Sequence, residues 1–233
     1  MIKTSVVIIC YNEEKNLRKL ISQSLRLIKE NKNLEIIIVE NGSTDQSKKI
    51  ILKENSIHRN KLKFVYVKKN KGYGFGIISG LIKTNGEVIG WTHGDDLKLY
   101  SKITKVLKLI TYKKRFFLKG YRIGKRPLLD LFFSYSFNFT SSIFLKKFLW
   151  EIMAHPTFFS LDLFSKFKKP PNDFSLDLYV YFFAKLYKFK INRFKYKYTP
   201  RKHGVSSWNV NFFSKIKLAS KFISYLNRLK NLK

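Results

Sequence analysis

Residues 86–96 read GEVIGWTHGDD, and the change of character within this stretch decides the fold. Glu87 to Thr92 is a short run of β-forming residues without helical period, the pattern of a buried strand. It breaks at once into His93-Gly94-Asp95-Asp96, a turn that closes the strand with two carboxylates. Upstream lie three similar runs, Ser5 to Cys10, Leu34 to Val39 and Leu62 to Val67. Segments of helical spacing separate them. In Glu13 to Lys29, Leu17, Leu20, Ile21, Ser24 and Ile28 share one face. After the Asn41-Gly42-Ser43 turn, Ser43 or Thr44 is placed to cap a helix reaching Glu54. A third helix is expected from Gly76 to Thr84, behind a glycine-rich turn.

Strands joined by single helices imply right-handed crossovers, hence an α/β fold with a mostly parallel sheet flanked by helices. Ligands of such sheets bind beyond the carboxyl ends of the strands. Tyr11-Asn12-Glu13, Glu40-Asn41 and His93 to Asp96 all fall there, so independent features converge on one rim. Hard cations such as manganese or magnesium prefer carboxylate oxygens, and Asp95 with Asp96 suits that role. Acidic residues are scarce, 15 against 47 Lys and Arg. A carboxylate pair at a buried strand end is therefore more than solvated surface.

The 233 residues suffice for a hydrophobic core, and 45% apolar content argues against disorder. The single cysteine, Cys10, excludes a disulfide framework and is expected as a packed core thiol. Polarity returns within the first dozen residues, too early for a secretory leader, which leads to an expectation of a cytosolic protein. The net charge of +32 attracts polyanions: sugar nucleotides, anionic lipid headgroups or nucleic acid. No nucleic-acid-binding signature accompanies it, so no specific nucleic-acid partner is expected. No stretch reaches about 18 uninterrupted apolar residues. The closest, Leu128 to Leu145 between Arg126 and Lys146-Lys147, reads equally as a membrane-interface helix or as a helix packed on the core.

The second half is less regular. Ile103 to Ile110 reads as helix, Arg115 to Lys119 as strand, Leu128 to Trp150 and Leu176 to Tyr187 as helices, and Ile191 to Tyr198 as strand. Asn211 to Lys230 reads as a basic amphipathic helix, and Pro170-Pro171 as a local stop. The expectation is one domain, with a donor half (1–98), an acceptor-side half (99–210) and a C-terminal helix (211–233). GYGFGIISG follows the third strand and lacks the spacing of a dinucleotide fingerprint.

In order and spacing, SVVIICYNEEKNL, VENGSTDQS, KGYGFGIISGL and GEVIGWTHGDD resemble the family 2 glycosyltransferases of GT-A fold. The resemblance implies a nucleotide-sugar donor and a divalent cation, manganese or magnesium. It implies that Tyr11, Asn12 and Glu13 lie near base and ribose, with Glu40 and Asn41 where two aspartates are common. Asp45 would bind the base edge, and Gly72, Gly74 and Gly76 would border the pyrophosphate and sugar. Asp95 matches the last carboxylate of the metal-binding D-x-D motif, whose first place is taken by His93. Imidazole can bind manganese and Asp96 can supply a carboxylate, so the metal set is altered.

KGYRIGKRPLLDLFFSYSFN is similar to a segment of polyprenyl-phosphate sugar transferases of the dolichol-phosphate mannose synthase kind. By that likeness Lys119, Arg122 and Arg126 would face an acceptor phosphate. AHPTFFS resembles an acceptor-side turn, so His155 and Pro156 would line the cleft. Asp173 is placed to cap a helix. Asp177, an acid among aromatic residues, would face the acceptor as general base. YTPRKHGVSSW resembles a stretch in which Arg201 approaches the diphosphate and His203 completes the metal shell. The implied reaction is an inverting single displacement from a UDP- or GDP-sugar to a lipid-linked or glycan acceptor, at or near a membrane surface. The alternatives are a non-catalytic sugar-nucleotide-binding homologue and a basic nucleic-acid-binding protein.

Overall fold

The computed structural model describes residues 1–96, 98–200 and 212–231, the side chains of 212–219 excepted. The chain runs β1 (Thr4–Cys10), α1 (Glu14–Glu30), β2 (Leu34–Glu40), α2 (Ser47–His58), β3 (Lys63–Tyr66), α3 (Tyr73–Leu81) and β4 (Val88–His93). It continues through α4 (Leu99–Leu107), β5 (Phe116–Ile123), α5 (Leu128–Leu145), β6 (Thr157–Ser160), α6 (Leu161–Phe164), α7 (Ser175–Leu186), β7 (Lys190–Lys197) and α8 (Phe212–Lys230). The strands form one sheet in the order β3-β2-β1-β4-β6-β5-β7. β6 runs antiparallel to β4 and β5, and the remaining pairs are parallel.

β1 and β2 are buried along their whole length, as strands covered on both faces must be. Their side chains alternate between two cores. Val6, Ile8, Ile36 and Ile38 pack with Leu17, Leu20 and Ile21 of α1, Ile51 of α2 and Ile103 of α4. Val7, Ile9, Ile37 and Val39 face Ile77 and Leu81 of α3 and the apolar residues of α7 and α8. Each such side chain removed from water contributes about 1.5–3 kcal/mol, so a one-residue slip of register would forfeit many of them together.

The carboxyl ends of β1, β2 and β4 lie side by side, with Cys10 opposite Glu40 and Ile9 opposite His93. The reversed β6 brings its start to that same edge, because Thr157 pairs with Trp91. His155 and Pro156 thereby arrive beside the turn that follows β4. The AHPTFFS segment is thus not only a turn: it supplies the strand that joins the two halves of the sheet.

Other boundaries also differ from the sequence reading. α2 starts at Ser47, because Ser43 Oγ and Thr44 Oγ1 accept from the Asn12 amide and side chain and do not cap the helix. α4 begins at Leu99, where the Leu99 amide bonds the Asp96 carbonyl. β5 continues past Lys119 to Ile123, since Gly120 allows the His155 backbone to approach; a Cβ there would stand 2.6 Å from the His155 carbonyl oxygen. α5 stops at Leu145, well before Trp150, because Lys146 turns into the left-handed region and Ser142 Oγ takes the Leu149 amide. Among the described residues no helix is long and apolar enough to cross a membrane.

Candidate functional site

The donor-side rim is stitched from loop to loop. Asn12, at φ 55, spans the β1–α1 and β2–α2 loops: its amide donates to Ser43 Oγ at 3.1 Å and its Oδ1 accepts from the Thr44 amide at 2.9 Å. Asp45 ties the starts of two helices, accepting from the Ser47 amide (2.9 Å) and the Glu14 amide (3.2 Å). Glu13 is buried and accepts from Asn16 Nδ2 at 2.6 Å. Glu40 and Asn41 are buried as well. Glu40 Oε1 takes the Ser43 amide at 2.6 Å, while Glu40 Oε2 and Asn41 Oδ1 have no hydrogen-bond partner among the described residues. A buried unpaired acceptor is costly, about 1–3 kcal/mol, and Asp177 Oδ2, equally buried, is in the same position.

Tyr11 is exposed at the rim and Asp95 is partly buried. Burial, then the Glu13, Asp95 and Glu40 carboxylates, push the Cys10 thiol well above its ordinary 9.0, so the core thiol sits beneath an acidic patch. Glu13, Glu14, Glu40, Asp45, Asp95 and Asp96 thus gather at one edge of a chain with only 15 acids.

The glycine run is used differently from expectation. A Cβ on Gly72 would lie 2.3 Å from the Asn172 carbonyl oxygen, and one on Gly74 2.2 Å from that of Pro171. These two glycines admit the 171–173 backbone, and Phe75 donates its amide to Asn172 O. Gly76 leaves room for the Asn41 side chain and Ile9, both at 2.7 Å from such a Cβ.

Tyr73, between the first two glycines, is the hub of a buried network. Its hydroxyl accepts from Trp91 Nε1 at 3.0 Å and lies 3.2 Å from His155 Nε2 and 3.4 Å from His93 Nε2. The two imidazoles stand edge to face, 4.1 Å apart. Below them Asp177 Oδ1 accepts from Lys119 Nζ at 2.9 Å, and its Oδ2 is 3.6 Å from His155 Nε2. Lys119 also donates to Thr157 Oγ1 at 2.8 Å. Burial, then His93, Lys119, Arg122 and Lys102, hold the His155 pKa well below 6.5, so the ring is neutral. Burial also lowers that of Lys119, against the pull of Asp177.

Lys119 therefore points into a fully buried ion pair, where no phosphate reaches it. Asp177 is equally enclosed, which removes it from direct contact with an acceptor in this conformation. Asp173 holds the start of α7, its Oδ1 accepting from the Ser175 amide at 2.9 Å. Arg122 and Arg126 share one carboxylate, Glu151, through Arg122 Nε–Oε2 at 2.5 Å and Arg126 Nη1–Oε1 at 3.4 Å. Two cations share this acid, and Asp130 also acts on Arg126. Glu151 is buried and sits at φ 52. The sequence reading passed it over, although the scarcity of acids that singled out Asp95 and Asp96 applied to it equally. Tyr73 was passed over because attention fell on the glycines around it.

Among the described residues, two of the expected metal ligands have partners within the chain. Asp96 pairs with Lys102 and accepts from the Lys98 amide at 3.2 Å, at the start of α4. His93 is turned to Tyr73 and His155. Among the described residues no group of three or more His, Cys, Asp or Glu is arranged to hold a metal. Arg201 and His203, the remaining expected site residues, lie outside the described residues.

The chain is 26% identical over 154 residues to dolichyl-phosphate beta-glucosyltransferase of Mus musculus, covering 58% of this chain and 48% of that protein. It is 33% identical over 88 residues to undecaprenyl-phosphate 4-deoxy-4-formamido-L-arabinose transferase of Photorhabdus laumondii, covering 37% of this chain and 27% of the other. The matches therefore span half or less of these relatives' length. Glucosyl-3-phosphoglycerate synthase of Mycobacterium tuberculosis, solved with Mn2+, UDP and glucosyl-3-phosphoglycerate, superposes with a TM-score of 0.63 at 16% identity, over 87% of this chain and 73% of that one. That likeness shows a shared fold, the GT-A arrangement. Residues 5–161 match the profile described as glycosyl transferase family 2, two thirds of the sequence and the whole of the rim, so the chain belongs to that family.

Proposed function

We propose that this chain transfers a sugar from a nucleotide diphosphate donor, UDP- or GDP-linked, to an acceptor that is itself a phosphate, carried on a polyprenyl lipid. The observation that carries the reading is the His93–His155 contact. It joins an acidic edge with unpaired acceptors, suited to base and ribose hydroxyls and amines, to the cationic Arg122–Arg126 cluster, suited to a phosphate. The names of the mouse and Photorhabdus relatives point to the same acceptor class.

Glu40 and Asn41 would take hydrogen bonds from the nucleoside, with Tyr11 beside the base. Asp95 would face the diphosphate, which the neighbouring carboxylates repel. A divalent cation carried by that diphosphate would meet Asp95 and offset the repulsion; Mn2+ accompanies UDP in the mycobacterial structure. Arg122 and Arg126 would orient the acceptor phosphate for in-line displacement with inversion. An anionic phosphate needs no strong base, which suits an Asp177 enclosed by Lys119 and His155. A glycan hydroxyl would need that carboxylate freed, so the phosphate is the better-supported acceptor.

The test is transfer of radiolabelled sugar from a panel of UDP- and GDP-sugars, with manganese, to a short-chain polyprenyl phosphate and to a glycan alcohol. Labelled lipid phosphate is expected. Label on the alcohol alone would overturn the acceptor assignment. A second reading, a non-catalytic sugar-nucleotide binder, is favoured by the dispersed His93, Asp95 and Asp96. Donor binding without transfer to either acceptor would support it.

A further inference from the structure

α5 is built inside out. The polar residues Asn138 and Ser141 are buried, and Asn138 Oδ1 accepts from the Ile152 amide at 3.2 Å. Ser134 likewise faces inward, onto Arg126 at 2.8 Å. The outer face instead carries Leu128 (83% exposed), Phe132 (65%), Tyr135, Phe139 (67%) and Ile143 (61%), at steps of four, three, four and four residues, which is one helical stripe. Phe148 (70%), in the turn beyond the helix, extends the stripe. At its far end Phe139, Ile143, Lys146, Lys147, Phe148 and Trp150 line an apolar groove of about 480 Å³. A helix facing water buries its apolar stripe and exposes its polar one. α5 buries Leu145 and packs Phe137 on the core, yet it also buries Asn138 and Ser141 and turns the larger apolar stripe outward, so that face is matched to an apolar neighbour.

The charges say which neighbour. Asp130 is the one acidic or basic residue within the 18 residues of α5, while Lys125 and Arg126 precede it and Lys146 and Lys147 follow it. α8, packed on α5 through Phe137 and Phe222 at 4.2 Å, adds exposed Lys221, Arg228 and Lys230. An aromatic stripe framed by cations is the pattern of a surface lying in the headgroup region of an anionic bilayer. A second copy would bring the same cationic frame against its like, in a chain of net charge +32. No described helix is long and apolar enough to cross the bilayer, so contact through this face is lateral.

We propose that the outer face of α5, with Phe148 and the groove beside Lys146 and Lys147, docks this protein onto an anionic membrane surface. The inference deepens the lipid-phosphate reading above and rests on it for its purpose. Arg126 sits both at the entry to α5 and in the Glu151 cluster, so docking would set that cluster at headgroup height.

The test is flotation of the full chain with vesicles of phosphatidylcholine alone and with about a quarter phosphatidylglycerol. Binding is expected to the anionic vesicles and to weaken with salt. Phe132→Glu, Phe139→Glu and Phe148→Glu, each at an outward position, should each lower partitioning about tenfold. Lys146→Glu with Lys147→Glu should remove most of the preference for anionic lipid. Binding that the phenylalanine variants leave unchanged would overturn the proposal. So would a concentration-dependent dimer of the unaltered chain that Phe139→Glu dissolves, since the face would then meet a second copy. Flotation reads docking without donor or acceptor. Its failure leaves the transferase reading standing, and a failure of transfer leaves the docking face standing.

Discussion

The two halves of the sheet solve opposite electrostatic problems. The donor side, β1 to β4, concentrates carboxylates at its rim and satisfies most of them with backbone amides. The other side, β5 to β7 with α5 and α8, carries more of the cations and buries its charged pair, Lys119 with Asp177, out of reach of solvent. A carboxylate held by loop amides has no counter-charge beside it, so a ligand's donor or cation can still offset its charge. A carboxylate held by a buried ammonium is committed to structure. Under the proposed function the same residue type serves recognition on one side of β4 and architecture on the other.

Breaking the buried pair should give the largest effect. Asp177→Ala strands the Lys119 ammonium and is expected to cost about 3–5 kcal/mol in denaturant unfolding. Lys119→Met with Asp177→Leu should recover most of that loss. If the single variant unfolds like the parent, Asp177 is not architectural and returns as a base. On the donor side, Asp95→Asn should leave unfolding within about 0.5 kcal/mol of the parent. It should lower kcat/KM for transfer by about 10²–10³. Unchanged turnover would remove Asp95 from the site. Between the halves, Arg122→Gln should raise KM for a phosphate acceptor about tenfold with the donor KM unchanged, as expected of one charge-assisted hydrogen bond lost.

The smallest effect is a pH slope. The folded-state pKa of His155 is depressed, so the unfolded chain binds the proton first. Stability from this group is fully present above 6.5 and is lost as pH falls from there towards the depressed value. The melting temperature of the parent should therefore fall between pH 7.5 and 5.5 more than that of His155→Gln. Equal slopes would mean that the ring is not held neutral.

Much of the donor side was legible in the sequence because its elements are local. A continuous apolar run such as Leu34 to Val39 can be buried as a strand wherever it goes, and Gly42 at φ 71 marks a turn by its residue type. The other side was not legible to the same degree. β6 is four residues long and reads as loop; it becomes a strand because β4 and β5 leave a gap that it fills. Lys119 and Asp177 are 58 residues apart, and nothing local tells an ammonium bound for a phosphate from one bound for a buried acid. Asp96 looked like a metal ligand for the same reason, until Lys102 one turn into α4 claimed it.

The sequence alone determined the parallel core and the family, since hydrophobic period and motif order act over a few residues at a time. The direction of β6, the partners of Asp177 and Glu151, and the outward turn of α5's phenylalanines were decided by tertiary structure. These depend on which surfaces meet across the sheet, and meeting is a property of the folded chain as a whole.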